Sequence, residues 1–195
     1  MVVGDDEVTM TKPLSFLYRG PLESCNYGCN YCPFAKKKDT RAELLADRKS
    51  FERFIDWIEK TRVNDRVSVL VTPWGEGLIR RWYQEGLVRL SRLPHVERAA
   101  IQTNLSCDVE GWVERAEAKK LGIWATYHPE WTPRDAFLDK IRRLHARGVN
   151  VSCGVVGLHR FTSEIARLRD DLPEGVYLWI NAAKSYEEYG REAGD

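Results

Sequence analysis

The chain has 195 residues, with 30 lysines and arginines against 29 aspartates and glutamates, a net charge of +1 and 43% hydrophobic residues. That balance fits a globular chain and offers no basic excess that would attract nucleic acid. No apolar run approaches the roughly 18 residues needed to span a bilayer, and the opening MVVGDDEVTMTK carries acids where a secretory signal carries bases, so a cytoplasmic protein without a membrane partner is expected.

Short β-rich apolar runs alternate with longer amphipathic ones, a pattern that predicts parallel strands joined by helices. A first strand falls at 14–18. A helix at about 40–61 follows, in which Phe51, Phe54, Ile55 and Ile58 have the spacing of one buried face. Next come a strand at 67–71, a helix at about 78–90, a strand at 99–102, a helix at 109–120 and a strand at 122–126. The fourth helix opens with Thr132 as N-cap and Pro133 at its first position, turns Phe137, Leu138, Ile141 and Leu144 inward and stops at Gly148. A strand at 149–156, a helix at 162–172 and a strand at 176–180 complete the alternation, and the tail SYEEYGREAGD suggests one more short helix. Trp124 and Trp179 fall within strands and read as core packing. We expect one domain over 1–195, with residues 1–12 loosely held. Six βα units form either an open doubly wound sheet or a partly closed barrel, and both place a site at the carboxyl ends of the strands.

Five cysteines make an odd count, and in a reducing compartment they point to metal or redox use rather than a disulfide framework. Three of them, Cys25, Cys29 and Cys32, lie within SCNYGCNYCPFA, in the loop after the first strand. Thiolates suit zinc and iron–sulfur clusters. A cluster normally takes four cysteines; three on a [4Fe–4S] cube would leave one iron open to a small molecule, much as an open position separates catalytic from structural zinc. The other readings are a structural zinc site completed by His128, Cys107 or Cys153, and a cluster used only for electron transfer.

The C-x3-C-x2-C spacing, with Tyr31 just before the last cysteine, resembles the signature of the radical S-adenosylmethionine (radical SAM) enzymes, and YRGPLESCNYGCNYCPFAK and VTPWGEG are similar to an uncharacterised bacterial subfamily of them. The resemblance implies a partial (βα)6 TIM-like barrel. It also implies a [4Fe–4S] cluster on Cys25, Cys29 and Cys32, with S-adenosylmethionine (SAM) chelating the open iron. The reduced cluster then cleaves SAM to methionine and a 5′-deoxyadenosyl radical, which takes hydrogen from a substrate, here an unidentified small molecule or peptide. A reductant such as flavodoxin or ferredoxin is the implied partner, and Lys36 to Lys38 offer it a basic face, although both KKK and Arg80–Arg81 read equally as solvated surface. Longer relatives continue into a cysteine-bearing tail that holds auxiliary clusters, and the sequence stops before one, so the expectation is either a minimal form or a chain from which that piece is missing.

The remaining strand ends match residue by residue. TPWGEGL resembles the Gly-Gly-Glu element that holds the SAM amino group, with Gly75 and Glu76 matching and Trp74 in place of the first glycine; a solvated or helix-start acid is the plainer reading of Glu76. IQTNLS is similar to Thr-Asn-Gly, making Thr103, Asn104 and Ser106 candidates near SAM and otherwise turn residues. Tyr127 and His128, in TYHPEW, are candidates for the substrate side. Val155, Val156 and Gly157, in CGVVG, are candidates for the adenine, against a reading of both valines as core. Asn181, expected just past the last strand, completes the set. Trp74 and Trp131 are candidates to wall a substrate pocket.

Overall fold

The structure, a computed structural model, describes residues 13–35, 37–61 and 66–183. Strands β1 (Leu14–Tyr18), β2 (Val67–Val71), β3 (Val96–Thr103), β4 (Leu121–Tyr127), β5 (Asn150–Gly157) and β6 (Tyr177–Ala182) alternate with helices α1 (Arg41–Thr61), α2 (Arg81–Arg92), α3 (Glu110–Val113), α4 (Arg134–Ala146) and α5 (Thr162–Asp171). All six strands run parallel in the order β1-β2-β3-β4-β5-β6. An order that never reverses excludes the doubly wound sheet, because right-handed crossovers then put every helix on one face. A twisted sheet covered on a single face rolls around its bare one. The result is a half-barrel, part of a TIM-like fold.

The two faces follow the period of 2. Phe16 and Tyr18 of β1 pack on Phe51, Phe54 and Trp57 of α1, and Val69, Ile101, Ile123 and Cys153, each no more than 1% exposed, continue that face into the main core under the helices. The alternate residues look into the half-barrel. They include Trp124 and Trp179, whose rings meet edge to face at 6.0 Å. Trp179 is 45% exposed, which corrects the expectation that these two tryptophans are core: the strand parity that sets Cys153 and Leu178 against the main core turns Trp124 and Trp179 to the open side.

Helix starts and stops show why these segments fold as they do. At α1, Thr40 Oγ1 accepts from the Glu43 amide while Glu43 Oε2 accepts from the Thr40 amide, a capping box. Helix α4 ends as expected at Gly148, which takes φ +79°; the Gly148 amide donates to the His145 carbonyl and the Val149 amide to the Leu144 carbonyl, the paired bonds of a Schellman motif.

Three expectations need correction. The helix at 78–90 begins only at Arg81; the residues before it close as a turn instead, with the Arg80 amide donating to the Gly77 carbonyl at 2.8 Å. The helix at 109–120 is reduced to Glu110–Val113 and a 3₁₀ turn at Ala118–Lys120, since the Glu117 amide leaves the helical ladder to donate to Ser91 Oγ at 3.1 Å. Thr132 does not cap α4; its hydroxyl is bonded to the Tyr27 hydroxyl at 2.5 Å. Residues 1–12, Lys36 and the tail helix expected after residue 184 lie outside the described residues. Among the described residues no helix is long and apolar enough to cross a membrane.

Candidate active site

The loop after β1 is built to hold a fixed shape. Both amides at its root, Glu23 and Ser24, donate to Asp39 Oδ2 at 3.0 and 2.7 Å, so one carboxylate closes the two ends of the cysteine segment. The root also docks on the loop after β2: the Gly75 amide donates to the Leu22 carbonyl and the Glu76 amide to the Ser24 carbonyl. This contact is so close that a β-carbon on residue 75 would lie 2.1 Å from the Ser24 carbonyl oxygen, which only glycine avoids. Beneath the loop, Cys29 and Tyr31 form a small apolar core with Leu158 and Phe161. At its outer side, Tyr27 stacks on Trp131 with centroids 5.3 Å apart.

The three thiols face one cavity of about 720 Å³ at the carboxyl ends of the strands, a size suited to a small-molecule ligand. Cys25 Sγ accepts from the Tyr27 amide at 3.3 Å and from Asn104 Nδ2 at 3.6 Å, while Cys29 Sγ lies 3.4 Å from His128 Nδ1. Burial pushes the Cys25 and Cys29 thiols above their ordinary range, so metal binding here displaces protons. Among the described residues, no three His, Cys, Asp or Glu side chains stand close enough to hold a single metal ion. Cys107 and Cys153 are not on the cavity wall. Burial raises both of their thiols to about 12, and Cys153 lies in the main core, so neither is placed to complete a zinc site with the loop cysteines.

Several of the other candidates converge on the same cavity. Tyr31, Gly75, Glu76, Thr103, Asn104, His128, Val156 and Asn181 all reach its wall. Glu76 is 3% exposed. Its Oε1 accepts from the Leu78 amide and from Thr103 Oγ1 at 2.7 Å, and its Oε2 from the Asn104 amide at 2.5 Å. It is therefore neither solvated nor a helix-start acid: desolvation raises its pKa while three donors oppose that shift. A carboxylate offers about four acceptor sites; three are used, and two of them, those filled by Thr103 and Asn104, tie the loop after β2 to the end of β3. His128 is kept neutral, its pKa pushed down to about 4 by burial.

The β3 end is held from outside. Leu105 sits at φ +55°, a left-handed conformation costly for a branched side chain. Lys140 Nζ donates to the carbonyls of Leu105, Ser106 and Cys107 at 2.9, 3.1 and 2.8 Å, using all three ammonium protons to fix this turn.

Four candidates fall elsewhere. Tyr127 belongs to the helix face of β4, where its hydroxyl donates to Glu164 at 3.0 Å and its ring packs on Phe137; strand parity separates it from His128. Val155 is fully buried in the core for the same reason. Ser106 accepts from Asn26 Nδ2 at 3.0 Å, outside the cavity wall, as Gly157 also is. Asn181 lies inside β6 rather than past it, bonded to Trp179 Nε1. Of the two wall tryptophans, Trp74 reaches the cavity beneath the Arg19 guanidinium, which lies 4.4 Å from its ring, whereas Trp131 braces Tyr27. Sequence reasoning missed Gln102 and Thr126, both on the wall. A polar residue alternating with apolar ones inside a strand was their signal.

The fold is thus a six-unit half-barrel whose thiol-bearing loop covers the carboxyl ends of its strands. Among solved structures it is similar to the crystal structure of Streptococcus suis SuiB bound to S-adenosylmethionine, with a TM-score of 0.64 and 18% identity over 89% of this chain and 41% of that one. The chain spans about two fifths of the length of SuiB, and at this identity the likeness establishes the fold. No family model matches the chain, and no curated protein matches it at a significant level.

Proposed function

We propose that the chain is a radical SAM enzyme. The observation that carries this reading is the meeting of three thiols, in C-x3-C-x2-C spacing, with Gly75, Glu76 and Asn104 on the wall of one cavity at the carboxyl end of a half-barrel. The donor set fits an iron–sulfur group: three soft ligands converge on a roomy cavity and no fourth cysteine lines it. Cys25, Cys29 and Cys32 would hold a [4Fe–4S] cluster, and Gly75, Glu76, Thr103, Asn104, Val156 and Asn181 line the space left for SAM. When bound, the cluster supplies one electron for cleavage of SAM to methionine and a 5′-deoxyadenosyl radical, which abstracts hydrogen from the substrate.

The chain's own residues supply placement. Glu76, with one acceptor site left, is set to accept a hydrogen bond from the SAM ammonium, and Gly75 lets the loop after β2 close against Ser24 at the root of the cysteine loop. The inner face adds neutral polar groups, Gln102 and Thr126, and the aromatic rim of Phe34 and Trp74, which suit a small molecule or a peptide segment. The proposed electron donor is a small carrier such as flavodoxin or ferredoxin. Lys37 and Lys38 both lie on the cavity wall, with Lys37 engaged by Glu43 and Glu23.

Anaerobic reconstitution with iron and sulfide, followed by electron paramagnetic resonance with and without SAM and an assay for 5′-deoxyadenosine, tests the reading. A reduced-cluster signal that shifts with SAM, with 5′-deoxyadenosine released, supports it. One zinc per chain, or a cluster signal indifferent to SAM, rejects it in favour of a structural or electron-carrying site.

A further inference from the structure

Cys29 stands in surroundings unlike those of an ordinary loop thiol. It is 5% exposed, and Tyr31 8%, in the small apolar core with Leu158 and Phe161. Three polar atoms meet where that core borders the cavity. Tyr31 Oη lies 2.9 Å from His128 Nδ1, and the same nitrogen lies 3.4 Å from Cys29 Sγ. The Tyr31 hydroxyl also bonds the Cys29 sulfur. The two rings are stacked at 13° with centroids 6.0 Å apart, and the Arg160 guanidinium lies 5.8 Å from the Tyr31 ring centroid.

Polar groups are costly in an apolar core unless they are paired. A thiolate can only accept hydrogen bonds here. With Cys29 deprotonated, the arrangement satisfies every member when the Tyr31 hydroxyl donates to the sulfur and the His128 Nδ1 proton lies toward the sulfur and the Tyr31 oxygen. A one-electron reduction of a cluster on this sulfur adds negative charge to its thiolates, and donors aimed at a ligating sulfur favour the more negative state.

We propose that Tyr31 and His128 are a paired hydrogen-bond donor to the Cys29 sulfur, and that they raise the reduction potential of the iron–sulfur group this loop holds. This rests on the radical SAM reading and gives both residues a positioning role, in place of the substrate-side one expected for His128. The electron comes from an external one-electron reductant, and no bond to Cys29 forms or breaks in the step.

The test is an anaerobic redox titration of the reconstituted protein with dithionite, read by electron paramagnetic resonance without SAM, alongside iron per chain. Tyr31→Phe and His128→Leu should keep iron and become harder to reduce by about tenfold in the equilibrium constant, or 59 mV for one electron. His128→Asn, which returns an amide donor near the Nδ1 position, should stay near the wild-type potential. If Tyr31→Phe and His128→Leu match the wild type with full iron, or His128→Asn falls as far as His128→Leu, the pair is packing only and the proposal is overturned. Should His128→Leu lose iron, Tyr31→Phe decides, since it removes one oxygen and keeps the ring. A wild-type chain that takes up no iron overturns the radical SAM reading itself, and with it this proposal.

Discussion

Gly75 and Ser24 touch backbone to backbone: a β-carbon at Gly75 would stand 2.1 Å from the Ser24 carbonyl oxygen. The contact joins the loop after β2 to the root of the cysteine loop. Gly75→Ala must push the two apart, and overpacking of this kind costs about 1–3 kcal/mol. We expect a melting temperature lower by about 2–12 °C and less iron taken up on reconstitution. A variant with wild-type melting and full iron would show that the loops do not meet this closely in solution.

Cys25→Ala, Cys29→Ala and Cys32→Ala should each abolish iron uptake, whereas Cys107→Ser and Cys153→Ser should leave it intact, because neither of those thiols reaches the cavity wall. Iron and sulfide analysis after anaerobic reconstitution makes the comparison. Loss of the cluster in Cys107→Ser would return a fourth protein ligand to the site.

Glu76 accepts three bonds, two of which join two strand ends, so its removal should be felt in folding as well as in binding. Each donor left unsatisfied in a buried place costs about 1–3 kcal/mol. Glu76→Ala is therefore expected to lose at least about 3 kcal/mol in urea unfolding and to bind SAM weakly by calorimetry, while iron remains. Unchanged SAM affinity in the folded variant would confine Glu76 to the joining role.

Lys140 satisfies three consecutive carbonyls of a turn that includes left-handed Leu105. Lys140→Met keeps most of the aliphatic stem and removes the charge. Hydrogen bonds to charged groups contribute about 1.5–3 kcal/mol, so the variant should destabilise the protein by about that much, with amide exchange faster at Leu105 and Ser106 than at β3 positions such as Ile101. Uniform exchange along the segment would deny the pin.

The carboxyl of Glu43 is held down to about 2 by Lys37 and by the amide and hydroxyl of Thr40. A depressed folded value means that its contribution is present above the ordinary value of 4.5 and is lost as pH falls from there toward about 2. The first turn of α1 should loosen over that range, read by amide exchange at Leu44 and Leu45. Glu43→Gln should flatten the dependence, and an equal pH response in both proteins would assign it to another group.

Local chemistry made much of this legible. Short β-rich apolar runs marked all six strands, and the helical spacing of apolar residues marked the buried faces of α1 and α4. The C-x3-C-x2-C loop stood out because few other uses gather three thiols so closely. Candidates failed where a residue's role depends on which side of a strand it faces. Tyr127 and His128 are neighbours in sequence and point to opposite sides of β4, and Val155 and Val156 divide in the same way on β5. Helix 109–120 was lost because Ser91, distant in sequence, accepts the Glu117 amide.

The sequence by itself determined the alternation of strand and helix and the thiol chemistry of the first loop, since both rest on residue type and short-range spacing. Only the tertiary structure decided between barrel and doubly wound sheet, because strand order is a property of long-range pairing. It alone set His128 against Tyr31 and Cys29, which lie 97 and 99 residues away in sequence, and turned Glu76 into the tie between two strand ends. Those contacts arise from packing, which brings distant residues to one place, and no local pattern encodes them.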